Sequence, residues 1–222
     1  VGYQFDFGAS SQYLGLLLSG TAVTLCLTAV ASVFGLAIAV AGAAATTSRF
    51  RWVRGVVAAY VELIRNTPFI VQMFFIFFGL PSLGLHFAAL PAAALAMTIN
   101  LAAYAIEILR AGIEAVPAGQ GEAGRSLGLR PAWIFGLLVL PQAVAIVYPA
   151  LVGQITITML ESAVVSQIAV VDLTHVADFI QSRNFRSFET YLIITLIYLA
   201  LAVVLRRVLA LGGRRLFAGR SR

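Results

Sequence analysis

No charged residue occurs between Asp6 and Arg49, and the stretch from Leu14 to Ala45 inside that interval is almost wholly apolar. A helix crosses a bilayer core about 30 Å thick with about 20 such residues, so this run alone predicts a membrane span. Three more runs satisfy the same requirement: Val56 to Leu80, Phe87 to Leu109, and Tyr191 to Leu211. Composition agrees. Hydrophobic residues make up 61% of the 222 and charged residues 11%, with a mean hydropathy of +0.97, whereas soluble domains carry about a quarter charged residues. The first run lacks a basic leader region and is too long for a secretory signal.

The apolar stretch from Pro131 to Val171 is long for one span and contains Pro141 and Pro149. Arginine placement resolves it, because cytoplasmic loops collect basic residues. Arginines cluster at Arg49 to Arg54, at Arg110 to Arg130, and in a tail holding Arg206, Arg207, Arg214, Arg215, Arg220 and Arg222. Five spans place all of these inside, with the N-terminus outside and the C-terminus cytoplasmic. Six would export the tail. The 131–171 stretch is therefore expected to be one span starting near Tyr148-Pro149, preceded by a helix that skims the inner surface, since proline favours a helix start. The chain reads as a single all-α, polytopic membrane domain over residues 1–222. Ala31, Gly35 and Ala39 recur at every fourth position, a spacing that lets helices approach closely in lipid.

Several chemistries are excluded or unsupported. Every basic residue is arginine, so a GxxxxGK[ST] phosphate loop is absent and ATP is not bound through that motif. Cys26 is the lone cysteine and allows no internal disulfide, while His86 and His175 lack metal-ligand spacing. The net charge of +6 reflects the inside arginines, and nucleic acid is not an expected partner.

The stretch VELIRNTPFIVQ, residues 61–72, places Glu62, Arg65, Asn66 and Thr67 inside the second apolar run. At 1.5 Å per residue from an inner boundary near Val56, Arg65 to Pro68 lie roughly 14–18 Å deep. The same arithmetic places Asn100 about 20 Å from the outer boundary and Glu161 about 18 Å from Pro149. Intramembrane ionisable residues mark pathways or partners, so these groups are expected to share one level as a substrate cavity or gate. Pro68 adds a freed carbonyl near Ile64. The competing reading is an internal Glu62–Arg65 pair on one helix face. For Glu107 and Arg110, near the inner end of the third span, a structural pair is the favoured reading.

Between the third and fourth spans, residues 114–131 read EAVPAGQGEAGRSLGLRP. Pro117 and Gly119 should break the departing helix, Glu122 to Leu127 should form a short one, and Gly128 should stop it before Pro131 opens the next. Residues Glu122-Ala123-Gly124, three more, Gly128, nine more, Leu138, one more, and Leu140-Pro141 resemble the E-A-A-x3-G-x9-I-x-L-P signature of ABC-importer permeases. ELIRNTPF, AYAIEILRAGIEAVPAGQGEA and FRSFETYLIITLIYL resemble the polar amino-acid branch of that family, in order and at matching spacing. The resemblance covers roughly residues 15–210. Glycine stands for the second alanine and leucine for isoleucine.

The resemblance implies a type I importer permease, with no enzymatic activity or cofactor of its own. It implies pairing with a like subunit, identical or paralogous, on a cytoplasmic ATPase dimer that binds ATP, with substrate delivered by an extracytoplasmic solute-binding protein at a bacterial inner membrane. Glu122, Ala123, Gly124, Arg125, Ser126, Leu127 and Gly128 would couple to the ATPase. Glu62, Arg65, Asn66, Thr67, Asn100, Glu161 and Ser162 are the candidate substrate-binding residues. The segment MLESAVVSQI departs from the family's L-K-D-T-S-L-V-S-V-I, with Leu160 for lysine and Glu161 for aspartate. Glu62 and Glu161 against Arg65 leave a negative surplus, which suits a cationic amino acid or an opine. An ion-gradient-driven carrier or channel, or a membrane anchor subunit, would also hold charges at mid-depth.

The topology is directly testable. A reporter fused after residue 222 is expected to be cytoplasmic, and tags in the 173–187 loop are expected to be accessible from outside. External labelling of a C-terminal tag would overturn the five-span arrangement.

Overall fold

In hydrocarbon a backbone N–H or C=O finds no water, so a spanning chain must satisfy these groups within helices. Among the described residues every regular element is helical. The computed structural model describes residues 5, 6 and 12–217; Arg220 and Arg222 lie outside them, as do the chain ends whose sidedness the arginine pattern assigns. In chain order the helices are α1 (Leu14–Thr46), α2 (Arg51–Arg65), α3 (Phe69–Leu83), α4 (Ala89–Glu114), α5 (Ala118–Ser126), α6 (Pro131–Ile168), α7 (Leu173–Asn184) and α8 (Ser187–Phe217). Four of them, α1, α4, α6 and α8, are long and apolar enough to cross a membrane, and α2 with α3 makes a fifth crossing if the bent pair is one span.

α4 is the central element. Some 67% of its apolar segment is buried, against 6% for α8, so α8 turns Leu196, Leu199, Val203, Val204 and Val208 outward. α1 meets α4 through Thr28, Ala31, Gly35, Ala39 and Ala43. A Cβ on Gly35 would come within 3.2 Å of the Thr98 carbonyl oxygen and the Leu101 side chain, so a larger residue there would press on α4. The hydroxyls of Thr21, Thr28 and Ser32 donate to carbonyls one turn back at 2.7–2.8 Å, which lets polar residues sit in an apolar helix.

Three apolar clusters follow from this arrangement. Leu27 and Ala31 pack with Met73, Ala96, Met97 and Val165. Ala39 and Ala43 pack with Val61, Ile106, Leu109 and Leu151. Leu17 packs with Leu173, Val176, Ile180 and Ile194.

Two expectations are corrected. First, the break expected at Tyr148-Pro149 is absent: α6 is continuous from Pro131, with no separate surface helix before it, and Pro149 lies inside it. Proline orphans one carbonyl there, whereas ending the helix in lipid would orphan a whole turn of them. A π-wound turn, Ile134–Val139, sits immediately before Pro141, which has no N–H to extend the ordinary ladder. Consequently the depth assigned to Glu161 from a start at Pro149 does not hold. Second, the run from Val56 to Leu80 is not one straight helix: α2 and α3 meet at 106°, and the bend follows Arg65.

Gly35→Leu is expected to destabilise the bundle by about 1–3 kcal/mol through overpacking, whereas Gly15→Leu, where nothing lies within 4 Å, should be neutral. Thermal unfolding of the two purified variants checks this. Equal melting temperatures would refute close α1–α4 packing.

Candidate functional site

The bend is local chemistry. Pro68 has no N–H and drives Thr67 away from helical geometry, so α2 stops at Arg65 and Pro68 is extended, with φ −63° and ψ 139°. The carbonyls freed in the last turn of α2 need donors. Asn66 Nδ2 donates to the Glu62 carbonyl at 2.8 Å and Thr67 Oγ1 to the Leu63 carbonyl at 2.9 Å. Gln72 Nε2 reaches back to the Ile64 carbonyl at 2.7 Å and to the Thr67 carbonyl and hydroxyl, each at 2.9 Å. Its Oε1 accepts from Asn100 Nδ2 at 3.0 Å. One amide therefore closes the break and ties it to α4. Tyr60 adds a second tie, donating to the Ile99 carbonyl at 2.6 Å.

On the far side of the bend, a cavity of about 560 Å³ opens between α2 and α4, with Thr46 of α1 at its edge. Glu62, Arg65 and Asn66 line it together with Arg54, Tyr104, Glu107 and Arg110. Arg65 does not pair with Glu62, and neither forms an ion pair among the described residues. Instead the Arg65 guanidinium lies 5.4 Å from the centre of the Tyr104 ring, inside the range of a cation–π contact. Arg54 is anchored by a 2.7 Å hydrogen bond to the Ser48 carbonyl. Arg110 is neutralised: it grips Glu107 with Nε at 3.0 Å and Nη2 at 2.5 Å, and meets Glu114 at 2.5 Å. The structural pair expected for Glu107 and Arg110 forms, and it also walls the cavity. Arg65 and Glu62 line the cavity near the end of α2 without an ion pair among the described residues.

The other candidate residues lie elsewhere. Thr67 is absorbed by the break and lines a separate apolar cavity of about 470 Å³ with Leu63, Val71 and Phe75. Asn100 is 3% exposed; its amide serves Gln72 and its Oδ1 has no hydrogen-bond partner. Glu161 closes the α-wound part of α6, half-buried and without a hydrogen bond or ion pair among the described residues. Ser162 is fully buried and donates to the Met159 carbonyl at 2.7 Å.

Ser162 also belongs to a polar cluster that sequence reading missed. The Tyr198 hydroxyl reaches Ser162 and Thr24, meets Thr174 Oγ1 at 3.0 Å and donates to Asp172 at 3.4 Å. Asp172 is fully buried and caps α7 by accepting from the His175 N–H at 2.9 Å. Burial pushes its carboxyl above the usual carboxylate range, opposed by the donors of His175, Thr174 and Tyr198. Gln72 was also missed; its signal was a lone polar residue four places after Pro68. Nothing in the sequence marks Asp172 and Tyr198 as neighbours.

The loop between α4 and α6 carries α5, which starts just after Pro117 rather than at Glu122, so Gly119 does not break it. Its end is a Schellman turn: the Gly128 N–H donates to the Arg125 carbonyl at 2.9 Å and the Leu129 N–H to the Gly124 carbonyl at 3.1 Å. Gly128 has φ +71°, a conformation that favours glycine. Gly124 packs on α6, where a Cβ would approach Ile134 at 2.9 Å and Leu138 at 3.0 Å, which is why glycine replaces the second alanine of the motif. Glu122, Ala123, Arg125, Ser126 and Leu127 face outward, Leu127 at 77% exposure.

Residues 31–218 match the family model described as binding-protein-dependent transport system inner membrane component. The arginine transport system permease protein ArtQ of Bacillus subtilis (strain 168) is 33% identical over 201 residues, 90% of this chain and 92% of that protein. A probable amino-acid ABC transporter permease protein, y4tG, of Sinorhizobium fredii (strain NBRC 101917 / NGR234) is 39% identical over 156 residues, 70% of this chain and 68% of that one. A solved amino acid ABC transporter with histidines superposes with a TM-score of 0.86 at 39% identity, over 96% of this chain and 100% of that chain. The methionine ABC transporter MetNI shares the fold, with a TM-score of 0.74 at 22% identity and the same coverage.

Gln72→Leu should strip the Thr67 carbonyl and the Asn100 amide of their Gln72 partner and leave the Ile64 carbonyl only its long contacts with Thr67 at 3.4–3.5 Å, each lost bond worth about 0.5–1.5 kcal/mol net. A clear drop in melting temperature is expected, with no recovery in Gln72→Asn, whose amide is too short. Unchanged stability in both would show that the break does not depend on this amide.

Proposed function

The chain belongs to the family of binding-protein-dependent transport system inner membrane components, the permease subunits of ABC importers, and we propose that it moves a polar amino acid inward, with a preference for cationic ones or opines. Membership of that family sets aside the carrier, channel and anchor readings. The work of ATP hydrolysis belongs to a separate ATPase dimer, so this chain needs no cofactor. A second permease subunit, identical or paralogous, completes the pathway, and an extracytoplasmic binding protein delivers the substrate. The membrane is the bacterial inner membrane, with the C-terminus and α5 on the cytoplasmic side. There Glu122 to Gly128 form the knob that docks on the ATPase. Leu127 supplies the apolar tip, Arg125 and Glu122 flank it, and the Gly124 and Gly128 geometry holds it rigidly against α6.

The observation that carries the substrate reading is the unpaired Arg65 held over Tyr104 beside Glu62 and Asn66 in a cavity large enough for an amino acid. A planar guanidinium suits an α-carboxylate, and Glu62 suits the α-ammonium. The cationic lean rests on the negative surplus of Glu62 and Glu161 over Arg65, Glu161 having no hydrogen bond or ion pair among the described residues, and on relatives named for arginine. Relatives named for glutamine and cystine make the side-chain preference the part to be tested. Asn66 faces the cavity with them. Thr67 and Asn100 hold the break beside the cavity, and Ser162 stands apart from it in the cluster with Tyr198.

Arg65→Ala in vesicles carrying the full importer is expected to cut uptake at least tenfold, the loss of a charge-assisted hydrogen bond of about 1.5–3 kcal/mol, while complex assembly stays intact. Glu161→Gln should shift competition from arginine toward glutamine. Lost assembly with unchanged selectivity would return both residues to a structural role.

A further inference from the structure

α6 and α8 are held together at one end by an aromatic contact and part from it into a furrow. The Tyr148 ring lies so close to Gly213 that a Cβ there would overlap it, its hydroxyl donates to the Leu209 carbonyl at 2.7 Å, and it meets Phe217 edge-on at 5.4 Å. Beside this fixed contact the facing positions are small. Pro149 and Gly153 on α6, with nothing within 4 Å of a Cβ at Gly153, and Ala210 on α8 leave a groove of about 600 Å³. That volume falls within the range of about 300–1,000 Å³ typical of ligand pockets.

Two arginines line the groove, Arg206 and Arg214. They lie eight residues apart, about 12 Å along the helix, on the same face as Ala210. Neither makes an ion pair among the described residues. No acidic residue follows Glu189 in the sequence, and none lines the groove. The neighbouring surface of α8 exposes Leu199, Val203, Val208 and Leu211, which places the groove against hydrocarbon. An apolar floor with two unneutralised guanidiniums matches an amphiphile with an anionic head, and basic pockets between membrane helices recognise such headgroups. We propose that this groove binds an anionic glycerophospholipid, its phosphate held by Arg206 and Arg214 and an acyl chain lying over Pro149, Val152, Gly153 and Ala210. Arg206, the deeper of the two by chain position, reaches the phosphate by extending its aliphatic stem along the groove.

The test uses the protein isolated from its membrane with its partner subunits and exchanged into nanodiscs holding equal parts phosphatidylcholine and phosphatidylglycerol. Retained lipid is then read by native mass spectrometry. The wild type is expected to keep phosphatidylglycerol selectively. Arg206→Gln with Arg214→Gln should lower its retention roughly tenfold or more. Arg207→Gln with Arg215→Gln, the same charge change outside the groove lining, should leave it unchanged. Gly153→Phe should displace the lipid while keeping both arginines. Absence of selectivity, equal loss in the control pair, or full retention in Gly153→Phe would overturn the proposal. So would cross-linking of Gly153→Cys to a partner subunit, which would make the groove a protein interface.

Discussion

The close approach of α1 to α4 is the contact on which the rest of the bundle depends. Lipid offers no hydrophobic drive for one apolar helix to prefer another over acyl chains, so association relies on packing at short range. Gly35 and the alanines at 31, 39 and 43 let the two backbones meet. With α4 fixed in that position, its opposite faces receive α2, α3 and α6, and α8 is left on the outside with its leucines and valines toward lipid. The cavity inherits its geometry from this order, because its wall is the face of α4 that carries Tyr104, Glu107 and Arg110.

A second constraint is the need to satisfy backbone groups where the chain bends. The break at Asn66 to Pro68 exposes carbonyls at a point where the helix cannot repair itself. The repair comes from side chains: Asn66 and Thr67 just after α2, and Gln72 from α3. The hydrogen bond from Asn100 then fixes the bend against α4. Irregular backbone at such a place is tolerated where it is buried in protein or lines a cavity, and here Asn66 lines one cavity and Thr67 another. The cost is polar side chains that no longer face a substrate. Thr67 and Asn100 are needed for the wall, while Glu62, Arg65 and Asn66 remain turned to the cavity.

Charge is divided by role. Arg110 is paired with Glu107 and Glu114, Arg54 donates to the Ser48 carbonyl, and Arg186 pairs with Glu189 and Asp6. Arg65, Arg206 and Arg214 form no ion pair among the described residues and line cavities. The first faces a polar cavity and the other two an apolar furrow, which is the distinction between a polar solute and an amphiphile.

Much of this was legible in the sequence. Uninterrupted apolar runs gave the spans, because a helix in hydrocarbon is dictated by length and polarity alone. The pattern around Pro117 and Gly128 marked a short helix between α4 and α6, because a proline and a glycine act locally, although it starts at Ala118 and not at Glu122. Pro68 marked the break for the same reason. Pro149 misled: its local preference for a helix start was overridden by the demand for continuous hydrogen bonding along α6. The start assumed for Glu161's helix was wrong because α6 runs on from Pro131, and the bend of 106° between α2 and α3 was not read from the apolar run. Which polar groups face a cavity, which serve a neighbouring backbone, and that Asp172 meets Tyr198 depend on contacts between residues far apart in the chain. Only the packed bundle decides those, because a side chain's role is set by the atoms opposite it, and sequence order does not specify which atoms those are.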